Sequence, residues 1–97
     1  MSERGATLAD IGATLRSRLG ALQPEVLEIT DDSAAHAGHA GAAGGAGHFS
    51  VLIVSEVFCG LSRVQRHARV YREVADLLPH PVHALSIKAL APQELHA

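Results

Sequence analysis

Cysteine occurs once, at Cys59, in a chain of 97 residues, so no intramolecular disulfide can form and a disulfide-stapled scaffold is excluded. Tryptophan is absent, and Phe49, Phe58 and Tyr71 are the only aromatic residues, so any core must be aliphatic. No run of about 20 apolar residues is present to span a bilayer as a helix, and residues 1–10 carry charges of both signs without the apolar centre of a signal peptide. The cytoplasm is the expected compartment. Basic residues are also few, eight against ten acidic ones, for a net charge of −2. A dedicated nucleic-acid binder usually has a larger basic excess. What little there is lies late: residues 61–97 hold five basic and three acidic groups, and residues 1–60 hold three and seven. Seven histidines are the compositional oddity.

The length fits one domain with one core. Leu8, Ile11, Leu15, Leu19 and Leu22 recur at helical spacing and predict a first helix over about residues 6–22, with Thr7 as N-cap and Pro24 as terminator. Val26–Thr30 is a short β-branched run. Residues 31–47 follow, rich in Ala and Gly, non-periodic, and holding His36 and His39. A connection of that length in a compact domain is functional or disordered. His48–Ser55 is apolar on both faces and reads as a central strand. Phe58-Cys59-Gly60 predicts a turn, and Ser62 with Gln65 three residues later predicts a capping box. A second helix is expected over 62–78, with Val64, His67, Tyr71, Val74 and Leu78 on its buried face and a possible break before Pro79 and Pro81. Residues 82–89 alternate, His83, Leu85 and Ile87 against Ala84, Ser86 and Lys88, and form the last strand. Pro92 opens a short closing helix. The expected architecture is a mixed α/β (α+β) domain over 1–97: a three-stranded mixed sheet with helices on one face, the first two strands antiparallel and the last two parallel through a right-handed crossover.

Four segments in this order resemble the BolA family. Asp32-Ser33-Ala34-Ala35-His36 is similar to its acidic-Ser-x-x-His loop. Gly47-His48-Phe49 with Val51–Ser55 is similar to its His-Phe strand start and Val-Ser exit. Phe58-x-Gly60, Arg66-His67 and Val70-Tyr71 are similar to its turn and Arg-His helix. His83-Ala84-Leu85-x-Ile87 with Pro92 and Glu94 is similar to its last strand and close. The resemblance spans about Leu8 to Leu95. It departs where the family usually reads Arg-His-Arg, since Ala68 follows His67 here.

That resemblance implies the order α-β-β-α-(α)-β-α, similar to a class II KH domain. It also implies a non-enzymatic adaptor that binds a monothiol glutaredoxin, with glutathione, and co-ligates a shared two-iron two-sulfur cluster for iron–sulfur trafficking or iron-linked regulation. The implied metal ligands fall on His36 and His83, with His39 in reserve. The implied partner-binding residues are Arg66, His67, Arg69, Ala84 and Leu85. No cofactor is expected in the isolated chain, which should be a monomer or weak dimer. The chemistry agrees: such a cluster needs four ligands, imidazoles can replace two thiolates at one iron, and a chain with one thiol cannot hold it alone. An imidazole must be neutral to ligate, so the site should weaken as pH falls through the histidine range.

Each residue also has a plainer reading. His36 could be a solvated loop side chain, and His83 a hydrogen-bonded histidine at the core edge. His48 reads as structural, His67 as a core or hinge residue, His80 and His96 as exposed, and Cys59 as a small packed residue. His36-x-x-His39 could serve a zinc site, which would still need two more ligands. Arg63, Arg66, Arg69 and Arg72 would form a basic surface for nucleic acid, although bases would find few aromatic residues to stack on. No nucleophile–base motif, phosphate loop or paired carboxylates suggest an enzyme.

Overall fold

The structure is a computed structural model and describes residues 8–33 and 47–95. The element order is α1 (Leu8–Leu19), a 3₁₀ turn (Gly20–Leu22), β1 (Val26–Asp31), β2 (Gly47–Val54), a 3₁₀ turn (Glu56–Phe58), α2 (Arg63–Val74), a 3₁₀ turn (Ala75–Leu77), β3 (Val82–Leu90) and α3 (Pro92–Leu95). The sheet order is β1-β2-β3, with β1 antiparallel and β3 parallel to β2. This is the mixed sheet the sequence predicts. Thr7 and most of the 31–47 segment fall outside the described residues, while Asp31 ends β1 and Gly47 begins β2.

Alternation along β2 sends Phe49, Val51 and Ile53 into the core. Ile11, Leu15, Leu19 and Leu22 bring the leucine stripe of α1 and its 3₁₀ extension onto that face, joined by Phe58, Val70, Val74, Leu77 and Val82. Among the described residues no helix covers the opposite face: Glu28, Thr30, Ser86 and Lys88 are exposed there, with Leu52 half-buried between them. Ser55 is the buried polar residue among the described residues. Its hydroxyl donates to the Leu22 carbonyl at 2.6 Å and accepts from the Val57 N–H at 3.2 Å, locking the end of α1 to the end of β2.

The capping box forms as expected. Ser62 Oγ accepts from the Gln65 N–H, and Gln65 Oε1 accepts from the Ser62 N–H. The buried face of α2 is not the expected one. Val64 is 79% exposed, Tyr71 is exposed and His67 is half-buried, and the inward stripe is Arg66, Val70, Val74 and Leu77. Arg66 holds this position because its stem lies along the core while its guanidinium reaches the carbonyls of Leu61 and Ala89 and the Glu94 carboxylate. The regular helix stops at Val74, four residues short of Leu78, and tightens into the 3₁₀ turn.

Candidate functional site

The first residues of β2 and β3 share one end of the sheet with the last residue of β1, because β2 and β3 are parallel and β1 is antiparallel. Hydrogen bonds pin the chain there. The Asp32 N–H donates to the His48 carbonyl at 2.7 Å, the His48 N–H donates to Ser33 Oγ at 3.0 Å, and the Ser33 N–H donates to Asp31 Oδ1 at 2.8 Å. The Ser50 hydroxyl donates to the Asp32 carboxylate. Both flanks of the histidine-bearing connection are therefore fixed at this end. His36 and His39 themselves lie outside the described residues.

His83 is exposed, and a bulge puts it there. Gly47 pairs with Val82 and His48 with Ala84, so His83 is the extra residue in the ladder. Simple alternation groups His83 with Leu85 and Ile87. The bulge instead turns Val82 into the core and releases His83 to the open face, with its ring centroid 5.2 Å from that of His48 and the planes tilted by 48°. His48 is half-buried. Its position beside His83 was the feature missed from the sequence. The signal was present, since a histidine opens each of two strands expected to be parallel neighbours.

Cys59 occupies the other end of the sheet, beyond Val54. It is exposed rather than packed, with Sγ 3.5 Å from Gln93 Oε1 and 3.6 Å from Glu56 Oε1. Seven residue steps along β2 separate the two ends, about 23 Å. The lone thiol and His83 cannot meet on one metal within this chain.

The expected partner-binding residues fall on α2 and β3 and do not all share one groove. Arg66 and His67 line a groove of about 540 Å³ between α2 and the Ile87–Leu90 part of β3, with Arg63, Lys88 and Glu94. Further along, the Tyr71 hydroxyl donates to the Leu85 carbonyl at 3.2 Å. Ala84 is exposed and Leu85 half-buried. Arg69 faces a separate shallow groove with Leu61, Gln65, Ala68 and Arg72.

Two of the four arginines on α2 are paired with carboxylates. Arg66 makes a two-pronged bond to Glu94 at 2.6 and 3.2 Å, and Arg69 pairs with Glu73 at 2.6 Å. Arg63 and Arg72 are exposed. The bonds from Arg66, followed by the Ala91 N–H, hold the Glu94 carboxyl below its ordinary range. Asp76 is likewise lowered, first by its side-chain bonds from Arg18 at 2.6 and 2.9 Å, which tie α1 to the turn after α2. Among the described residues no helix is long and apolar enough to cross a membrane.

A three-stranded mixed sheet, helices on one face and a bulged histidine at the start of the last strand define a small α+β domain. Residues 19–94 match the family model described as "BolA: BolA-like protein". The chain belongs to the BolA family. It is 42% identical over 94 residues to human BolA-like protein 1, covering 96% of this chain and 66% of that protein. It is 40% identical over 72 residues to the "DNA-binding transcriptional regulator BolA" of Vibrio cholerae, covering 74% of this chain and 65% of that protein. The chain thus spans just under two thirds of the length of these relatives. Among solved structures, the solution structure of BolA1 protein from Mus musculus superposes with a TM-score of 0.77 at 40% identity, covering 99% of this chain and 76% of that one.

Proposed function

We propose that the chain is an adaptor that docks a monothiol glutaredoxin along the β3 edge and helps hold a two-iron two-sulfur cluster shared between the two proteins. The observation that carries this reading is the bulge, which frees His83 at the end of the sheet where both flanks of the His36 connection are pinned. His36 follows Ser33 by three residues, a tether of about 11 Å at full extension. The donor set suits the cluster: His83 and His36 can offer neutral nitrogens, and the only thiol lies at the far pole, so thiolates must come from the glutaredoxin and glutathione. When bound, the cluster supplies iron and sulfide for transfer or sensing. This chain's part is to present imidazoles and a docking edge.

The test mixes the chain with a monothiol glutaredoxin, glutathione, iron and sulfide without oxygen, and reads visible circular dichroism against the glutaredoxin homodimer. His83→Ala should abolish the difference and His36→Ala should weaken it. If both variants match the wild type, the ligand assignment is wrong.

A second reading is nucleic-acid binding, favoured by the name of the Vibrio cholerae relative and by the exposed Arg63 and Arg72. The Arg66–Glu94 and Arg69–Glu73 pairs offset half of the cationic cluster and argue against a strong interface. Affinity for duplex DNA that collapses with rising salt for every sequence tried would leave only nonspecific attraction.

A further inference from the structure

We infer that His48 and His83 together form a two-imidazole site for a single divalent transition ion, of the zinc type, on the isolated chain. The inference shares His83 with the reading above but needs neither a glutaredoxin nor a cluster.

Three observations converge on it. The parallel pairing of β2 and β3 brings the two strand-opening histidines to one pole, and the bulge turns His83 out of the core toward His48. A bulge that re-aims a side chain in this way is a device common beside functional sites. The ring separation also suits a shared ion. Two imidazoles on one tetrahedral zinc, with Zn–N of about 2.0–2.1 Å, have centroids roughly 5 Å apart, and here they are 5.2 Å apart. The 48° tilt excludes face-to-face stacking as the reason for the contact. Finally, the backbone of His48 is held from both sides, its N–H on Ser33 Oγ and its carbonyl on the Asp32 N–H. The backbone that carries one ligand is therefore fixed in place before the ion arrives.

Imidazole pairs suit zinc, copper and nickel. Among the described residues no third His, Cys, Asp or Glu completes the set. Two protein ligands are one fewer than open zinc sites usually have, so the remaining positions go to water or to donors from another molecule.

The test uses the full chain carrying His36→Ala and His39→Ala, which removes the other spaced histidine pair. Zn²⁺ alone is titrated at about pH 7.5, where an ordinary imidazole is mostly neutral, against a chromophoric chelator. Imidazole ¹⁵N resonances are followed in parallel. One equivalent should move the ring nitrogens of both His48 and His83. His48→Gln and His83→Gln should each weaken binding by at least about tenfold. His83 is exposed, so its variant keeps the experiment decisive if the His48 variant folds poorly. Shifts at only one of the two rings, or affinity unchanged in His83→Gln, would show that the rings are merely packed together. The glutaredoxin reading would be untouched by that result.

Discussion

Gly47→Ala is the substitution that couples the fold most directly to the histidine pole. A Cβ built on Gly47 would lie 2.5 Å from Phe49 Cε1, 3.3 Å from Phe49 Cδ1 and 3.3 Å from the Pro81 carbonyl oxygen. The first distance is far inside van der Waals contact. The obstructing atom belongs to a ring that is 3% exposed and packed in the core, so it cannot simply swing away. Overpacking of this kind costs about 1–3 kcal/mol. For a domain of this size that corresponds to roughly 4–24 °C in Tm, at about 4–8 °C per kcal/mol. Relief requires the Phe49 ring to shift within the core and the start of β2 to move away from the Pro81–Val82 segment, which loosens the bulge and separates His48 from His83. Thermal and urea unfolding measure the first effect, and a changed His83 ring signal in NMR measures the second. Gly20→Ala is the control: its Cβ meets nothing within 4 Å, so stability should be held or slightly raised. A Gly47→Ala protein as stable as Gly20→Ala, with an unmoved His83 signal, would refute the reasoning.

Ser55→Ala leaves the buried Leu22 carbonyl and the Val57 N–H without their partner, and should cost about 1–3 kcal/mol in urea unfolding. Ser62→Ala removes an exposed N-cap and should cost about 1 kcal/mol, read from the same curves. Glu94→Gln tests the ion pair at the helix–strand groove. Because the folded Glu94 carboxyl lies below its unfolded value, its contribution is present above the ordinary carboxylate range and is lost as pH falls through the depressed folded value. As pH falls through the ordinary carboxylate range and below it, the wild type should therefore lose stability more steeply than Glu94→Gln, and parallel urea midpoints over that fall would remove the pair from the account.

The strand order and directions were legible because patterning and loop length constrain them: a long connection allows β1 and β2 to be antiparallel, and a helix between β2 and β3 makes them parallel. The capping box was legible because Ser62 and Gln65 act locally. The burial of α2 was not. Two helical stripes run through it, and periodicity cannot know that Arg66 lays its stem inward, bringing Val70 and Leu77 with it and leaving Val64 outside. The face of His83 was misread for a related reason. Counting by twos assumes an uninterrupted ladder, and one additional residue in β3 reverses everything before it. The contact between His48 and His83 depends on that irregularity and on a pairing between residues 35 positions apart.

The separation of the solitary thiol from the imidazoles makes the molecule naturally bipolar for labelling. A maleimide dye or nitroxide attached to Cys59 sits at the α3 pole, a strand's length from His48 and His83. It would watch a docking partner or a captured ion approach from across the sheet without competing for the same nitrogens.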